Sequence, residues 1–279
     1  MAAAIALVLA IALAAPLTAK EDSDIDQIGL DDLPYQAHPL PESLLEITSE
    51  EHYGEQLEET GVGALVWSQF PVTVHLDENA SETWRTQMRS VVEQWGDYLP
   101  LQQIEDSERA DIVIWRRRPP PRRLGDDFRA AAARVSYELY WRDQQLGHRF
   151  EILLSPTQGT EAAQAALRHE LGHALGIWGH SDRPTDVMYY SQVRYPPAIS
   201  PRDLATLRYV YEQRTRLGWP MIPDSGGSTT EDSFETVGED AQTLFEGGKS
   251  LDINEGTDEM AESTVEGDAE AVDDAVVDS

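Results

Sequence analysis

The sequence predicts an α+β domain, because strand-like and helix-like hydrophobic patterns both occur along its middle part. Four short segments rich in apolar and β-branched residues predict strands, and three amphipathic segments predict helices. All seven tryptophans lie between Trp67 and Trp219, so the aromatic residues available for a core are confined to this part of the chain. Residues 61–222 are therefore expected to form one folded domain, and about 160 residues are enough for a packed core.

The order of the predicted elements follows from local patterns. Strands are expected at residues 71–76, 110–115, 133–141 and 149–154. In the first of these, Val72, Val74 and Leu76 alternate with more polar residues, which is typical of a strand with one buried face. A helix capped by Ser81 follows it and runs to about residue 98, with apolar residues at helical spacing. The last helix is expected at residues 200–211, where Ser200 caps and Pro201 occupies the first turn.

Acidic residues are concentrated at the two ends of the chain. Residues 20–60 contain 13 Asp or Glu and one Lys, and residues 223–279 contain 18 and one Lys. The segment 223–279 shows no periodic apolar face, so it is expected to be a disordered acidic tail. The segment 20–60 is interpreted either as a solvated linker or as a pro-segment, in which a carboxylate of Asp31 or Asp32 would cover a metal ion. A formal net charge of −30 argues against nucleic acid or an anionic membrane as a partner.

The first 19 residues carry no charge and end with the small residue Ala19. This pattern predicts a secretory signal peptide, so the domain is expected to be secreted or periplasmic. The alternative is an uncleaved membrane anchor that holds the domain outside the cytoplasm, because about 18–20 uncharged residues can span a bilayer. Contact with a membrane is expected only if this segment is retained.

Residues 169–180, which read HELGHALGIWGH, contain the candidate site. His169 and His173 are four residues apart, so on a helix they lie on one face, close enough to bind one metal ion. Three leucines nearby fall about 160° to 240° away from His169, so they are expected to face a core: Leu167, Leu171 and Leu175. Gly176 is expected to end the helix. His180 follows the turn as the candidate third ligand, and Glu170 stands beside the metal as the candidate general base.

This stretch resembles the signature of the metzincin metallopeptidases, HExxHxxGxxH followed by a methionine turn. The agreement is closest with the matrixin branch, because His180 is followed by Ser181 and then, at the family's spacing, by Met188. One residue is extra, since Ile177, Trp178 and Gly179 fill a gap that the family gives to two. We expect Gly179 to absorb the insertion.

The resemblance implies a twisted mixed sheet with a long helix in the N-terminal half, an active-site helix and a C-terminal helix. It further implies that His169, His173 and His180 bind one catalytic zinc ion, that Glu170 is the base, and that Met188 lies beneath the histidines. The edge strand, here 133–141, would pair with an extended peptide or protein substrate. Calcium is not supported by the sequence, and His148 is left unassigned.

The function expected from these observations is that of an exported zinc-dependent endopeptidase. Two alternatives share the ligands: a zinc-stabilised protein that binds peptides without turnover, and a zinc amidase acting on a non-protein amide. The absence of cysteine excludes a disulfide framework and the cysteine latch of many matrixins. The sequence identifies no substrate-binding residues, although pocket walls are expected around Tyr195 to Pro197.

Overall fold

The computed structural model describes residues 29–124, 127–129, 131–191 and 193–220, together with 242–243 and 250–252. The predicted signal segment at residues 1–19 and most of the acidic tail lie outside these ranges. The described part is α+β, as predicted. Within it, no helix is both long and apolar enough to cross a membrane.

A mixed β-sheet forms the centre of the domain. The strands are β1 (Val72–Leu76), β2 (Leu101–Gln103), β3 (Ile112–Trp115), β4 (Arg122–Leu124), β5 (Asp127–Arg129), β6 (Ala133–Arg142), β7 (Gln145–Leu154), β8 (Gln242–Thr243) and β9 (Ser250–Asp252). The strand order is β2-β1-β3-β7-β6-β8, and β9 also pairs with β6. The first four strands in this order run parallel, whereas β6 is antiparallel to β7. All four predicted strands are therefore present, and β2, β8 and β9 are additional strands of this sheet. β4 and β5 pair antiparallel in a separate two-stranded sheet.

Four α-helices accompany the sheet: α1 (Glu42–Leu45), α2 (Glu82–Gly96), α3 (Thr160–Ala174) and α4 (Pro201–Tyr211). The capping predictions are confirmed, because the Ser81 hydroxyl accepts the Trp84 amide and the Ser200 hydroxyl accepts the Asp203 amide. The apolar face of α2 is buried, including Met88 and Trp95 at 0% exposure. The Trp95 indole donates to the Arg168 carbonyl of α3, which joins the two long helices.

Residues 29–60 belong to the folded domain, so the predicted boundary at residue 61 and the interpretation of this segment as a solvated linker are wrong for them. Leu33, Leu44 and Tyr53 are buried in the core. The Tyr53 amide donates to the Thr206 hydroxyl, which fastens the segment to α4. Scattered apolar residues within an acidic stretch are enough to dock it, because their burial depends on partners far along the chain and not on local periodicity.

Two short pieces of the acidic tail are strands, so the prediction of disorder does not describe residues 242–243 and 250–252. Both pieces pair antiparallel with the outer edge of β6. β8 lies opposite Tyr140 and Trp141, and β9 lies opposite residues 134–136. The outer edge of β6 is thus partly covered by the chain itself.

His148 of β7 is 3% exposed and stacks on Trp67, with ring centroids 4.0 Å apart. Burial lowers its pKa from 6.5 to about 3. Because the unfolded chain binds this proton more readily, the free energy of unfolding should decline as the pH falls from 6.5 toward 3, by up to about 1.4 kcal/mol per pH unit. When the pH is lowered from 6.5 to 5, the free energy of unfolding of His148→Phe should fall by about 2 kcal/mol less than that of the parent protein. The measurement is urea unfolding of the zinc-free proteins.

The control for this pH series is His52→Phe, which makes the same change at an exposed position. If the free energy of unfolding varied with pH equally in the parent and in His148→Phe, the fold would not be holding His148 neutral.

Candidate metal centre

Helix α3 carries His169, Glu170 and His173 in its last two turns. It ends as predicted at Gly176, whose φ of 124° is a conformation that favours glycine. The Gly176 amide donates to the His173 carbonyl and the Ile177 amide donates to the Gly172 carbonyl, both at 3.0 Å. This is the paired hydrogen bonding of a Schellman motif, and it turns the chain back beneath the histidines.

Both faces of α3 are covered near its C-terminus. Leu167, Leu171 and Leu175 are fully buried, as predicted. His169 and His173 are also buried, at 5% and 1% exposure, and Glu170 is at 0%. The histidine face is thus opposite the leucines, and the segment that carries the Ile177 and Val187 carbonyls packs against it, so little of His169 and His173 is exposed. Local periodicity predicts the two faces and not this covering segment.

The hydrogen bonds of His169 and His173 define which ring nitrogen holds the proton. His169 Nδ1 lies 2.8 Å from the Val187 carbonyl oxygen, and His173 Nδ1 lies 2.7 Å from the Ile177 carbonyl oxygen. Because a carbonyl oxygen can only accept, each Nδ1 carries a hydrogen and donates it. Burial lowers the pKa of His169 to about 3 and that of His173 well below 6.5. Both rings are therefore neutral at pH 7, and each Nε2 presents a lone pair.

The two Nε2 atoms are 3.1 Å apart. Two lone pairs at this separation repel each other unless a cation lies between them. Tetrahedral zinc, with ligand nitrogens at about 2.0–2.1 Å, places those nitrogens about 3.3 Å apart. The spacing of the two atoms therefore fits a shared metal ion.

His180 completes the group. One ring nitrogen from each of His169, His173 and His180 lies within 4.8 Å of the others. The His180 ring centroid is 5.2 Å from that of His169 and 4.9 Å from that of His173. Among the described residues, the group consists of these three histidines, so a cation here would be held by ring nitrogens.

Asp31 and Asp32, the carboxylates that a metal-covering pro-segment would use, are placed elsewhere. Asp31 is exposed and pairs with Arg216 at 3.1 Å. Asp32 accepts a hydrogen bond from the Gly29 amide. The prediction that either carboxylate covers the metal position is therefore wrong.

The extra residue before His180 is accommodated by tight turns. The Trp178 amide donates to the Gly176 carbonyl, and the Gly179 amide donates to the Ile177 carbonyl. Gly179 forms an antiparallel bridge with Leu57, and a Cβ on Gly179 would lie 2.7 Å from the Leu57 Cα atom. Glycine is therefore needed here for the close approach of residues 56–58. Residues 56–58 pack against the loop that places His180 beside His169 and His173.

Met188, which the resemblance places beneath the histidines, packs against the helix that carries them. It is fully buried, and a Cβ on Gly172 would overlap its Sδ atom. The sulfur thus packs directly on the helix backbone between His169 and His173. Met188 is not part of the histidine group, and the apolar floor that the resemblance implies for it stays a prediction.

The Asp203 carboxylate, which no sequence pattern singled out, holds the backbone of Val187 and Met188 in place. Asp203 of α4 accepts the Val187 amide at 2.8 Å and the Tyr53 hydroxyl at 2.7 Å. Because the Val187 carbonyl accepts the His169 Nδ1 proton, Asp203 orients His169 through a single residue. Burial raises the pKa of Asp203, although the hydrogen bonds that it accepts act in the opposite direction. The sequence signal was Ser200-x-x-Asp203, which predicts only a capping box.

A second carboxylate, Asp186, fixes the loop after His180. It accepts the Ser181 hydroxyl at 2.5 Å, the Ser200 hydroxyl at 2.8 Å and the Arg202 guanidinium at 2.7 Å. The Ser181 amide in turn donates to the Met188 carbonyl at 2.7 Å. Ser181, which follows His180, is thus hydrogen-bonded both to Met188 and to Asp186.

Replacing Asp203 by asparagine should weaken zinc binding by about 10- to 100-fold, as is typical when an outer partner of a metal ligand is lost. Asparagine replaces one of the two acceptor oxygens by an NH₂ group that can only donate. Either the Val187 and Ser200 amides or the Tyr53 hydroxyl and Met188 amide then lose their acceptor, so the support of His169 loosens. The measurement is zinc competition with a chromophoric chelator. Asp97→Asn, an exposed position at the end of α2, is the matched control. Unchanged zinc affinity in Asp203→Asn would show that the bond to Val187 does not orient His169.

A cavity of about 110 Å³ opens beside His169. Its walls come from the first half of α3 and from the segment after the methionine: Ala162, Ala165, Ala166, Val193, Pro196 and Pro197. The prediction of pocket walls around residues 195–197 agrees for the two prolines, whereas Tyr195 is 79% exposed. Pockets for whole small molecules are about 300–1,000 Å³, so this cavity suits a single side chain.

Comparisons with protein-family models and with characterised proteins find no match to this chain. A fold by itself does not define an activity, so the function is argued from the geometry of the histidine group and its surroundings.

Proposed function

We propose that this protein is an exported zinc-dependent endopeptidase of the matrixin-like metzincin type. The observation that carries the proposal is the convergence of two buried, neutral Nε2 lone pairs, 3.1 Å apart, with a third histidine beside them. Three histidine ligands leave the fourth position of zinc open, which is the arrangement of catalytic and not of structural zinc sites. The buried Nδ1–H···O=C bonds are the outer contacts that such ligands need.

Glu170 follows His169 directly on α3 and is fully buried. A bound zinc ion supplies Lewis-acid chemistry, acidifying water and polarising a carbonyl group. Glu170 takes the proton of the attacking water and delivers it to the leaving amine nitrogen. This division of roles explains why a carboxylate stands next to the ligands without belonging to them.

The surroundings of the site support an extended peptide as substrate. β6 is the outer strand of the sheet formed by residues 72–154, and its outer edge can add one more strand. The cavity beside His169 takes one apolar side chain of that strand. The order of the elements, with a helix after β1, the histidine helix after β7 and a closing helix after Met188, also supports the matrixin-like assignment.

The test is cleavage of a diverse peptide mixture by zinc-loaded protein comprising residues 20–279, read by mass spectrometry. We expect cuts next to apolar residues that disappear with a chelator and return with zinc. A folded protein that holds one zinc ion and makes no cuts would overturn the endopeptidase. It would favour either peptide binding without turnover or amidase action on a non-protein amide.

A further inference from the structure

The outer edge of β6 is covered by a segment of this same chain. β6 pairs with β7 along all ten of its residues, from Ala133 to Arg142, so only its other edge is open to a further strand. On that edge β9 pairs with residues 134–136 and β8 pairs with residues 140–141. Both pairings are antiparallel. Unpaired sheet edges attract additional strands, and here the chain provides its own.

This edge lies next to the histidine group. Tyr137, between the two paired stretches of β6, contacts Trp178 edge-on with ring centroids 5.2 Å apart. Trp178 contacts His173 in the same way at 5.8 Å. A strand on the outer edge of β6 is therefore separated from the candidate ligand His173 by two side chains in contact, those of Tyr137 and Trp178. Peptide bound there and the tail cannot occupy the edge together.

Charge favours the tail over a neutral peptide. The register places Asp252 opposite Arg134, and opposite charges directly across a strand pair are stabilising. Attachment to the same chain also raises the effective concentration of the segment at the edge.

We propose that β8 and β9 act as a built-in competitive inhibitor that occupies the substrate-binding edge of β6. This inference rests on the proposed endopeptidase function. The contact is short, only two and three residues, so substrate at high concentration displaces it. Such an inhibitor lowers activity at low substrate concentration and leaves the maximal rate unchanged.

The test compares the full chain with Leu251→Pro, because proline removes a backbone donor and disrupts the β9 ladder. Val272→Pro makes the same kind of change elsewhere in the tail and is the matched control. If the tail covers the edge for about 80–90% of the time, Leu251→Pro should lower KM about 5- to 10-fold with kcat unchanged. A synthetic peptide of residues 240–254 should restore competitive inhibition of Leu251→Pro, and a scrambled peptide should not.

Amide hydrogen exchange of β6 separates failure of this inference from failure of the proposed function. We expect Leu251→Pro, and a chain ending at Pro220, to exchange the outer-edge amides between residues 134 and 141 faster than the parent. Unchanged exchange would overturn tail docking, whatever the activity. Faster exchange with unchanged KM would overturn inhibition. Faster exchange with no zinc-dependent cleavage by any form would overturn the proposed function while supporting the docked tail.

Discussion

Replacing Glu170 by glutamine should reduce kcat/KM by about 10²- to 10⁴-fold while zinc affinity changes little. Glutamine preserves the shape of the fully buried side chain but cannot accept the proton of the attacking water. The three histidines that we propose as metal ligands are untouched. The measurement is peptide hydrolysis under low-substrate conditions together with the zinc content of the same preparation.

The matched control is Glu161→Gln, which makes the same change at an exposed position in the first turn of the same helix. Its kcat/KM should equal that of the parent. Cleavage by Glu170→Gln at the parent rate would show that another group accepts the proton. Loss of zinc from Glu170→Gln would place the carboxylate among the groups that hold the metal.

Replacing His180 by alanine should weaken zinc binding by at least about 100-fold, since loss of an outer partner alone typically costs 10- to 100-fold. His169 and His173 remain in place, because their Nδ1 bonds to the Val187 and Ile177 carbonyls do not involve His180. Two ligands are left where a catalytic zinc site has three. The measurement is competition for zinc with a chromophoric chelator at pH 7.

His52→Ala is the control for this variant, because His52 is an exposed histidine stacked on Tyr209, a contact that does not involve the histidine group. Its zinc affinity should equal that of the parent. If His180→Ala bound zinc as tightly as the parent, the inserted residue before His180 would have removed that histidine from the ligand set. Another residue would then have to be the third ligand.

The local features of the site could be predicted because they depend on residues close together in sequence. The four-residue spacing of His169 and His173, the leucine face and the end of the helix at Gly176 all follow from helical geometry. The strands at 71–76 and 149–154 follow from short apolar runs with alternating burial. In each case the residues that determine the feature lie within one or two helical turns of each other or within one short strand.

The supporting contacts could not be predicted because they join distant parts of the chain. Tyr53 and Asp203 are 150 residues apart, and their bond fixes the Val187 segment only once residues 29–60 have docked. An acidic composition suggested a solvated segment, whereas a few buried residues such as Leu44 and Tyr53 decide its position. The pairing of β9 with β6 is equally invisible to local patterns, since a three-residue strand carries almost no periodicity.

The most direct test of the account is zinc titration of chelator-stripped protein while peptide cleavage is followed. The account predicts no cleavage without metal, a linear rise as zinc is added, and a plateau at one zinc ion per chain. Cleavage that is independent of zinc, or a protein that binds one zinc ion at His169, His173 and His180 and never cleaves, would contradict it.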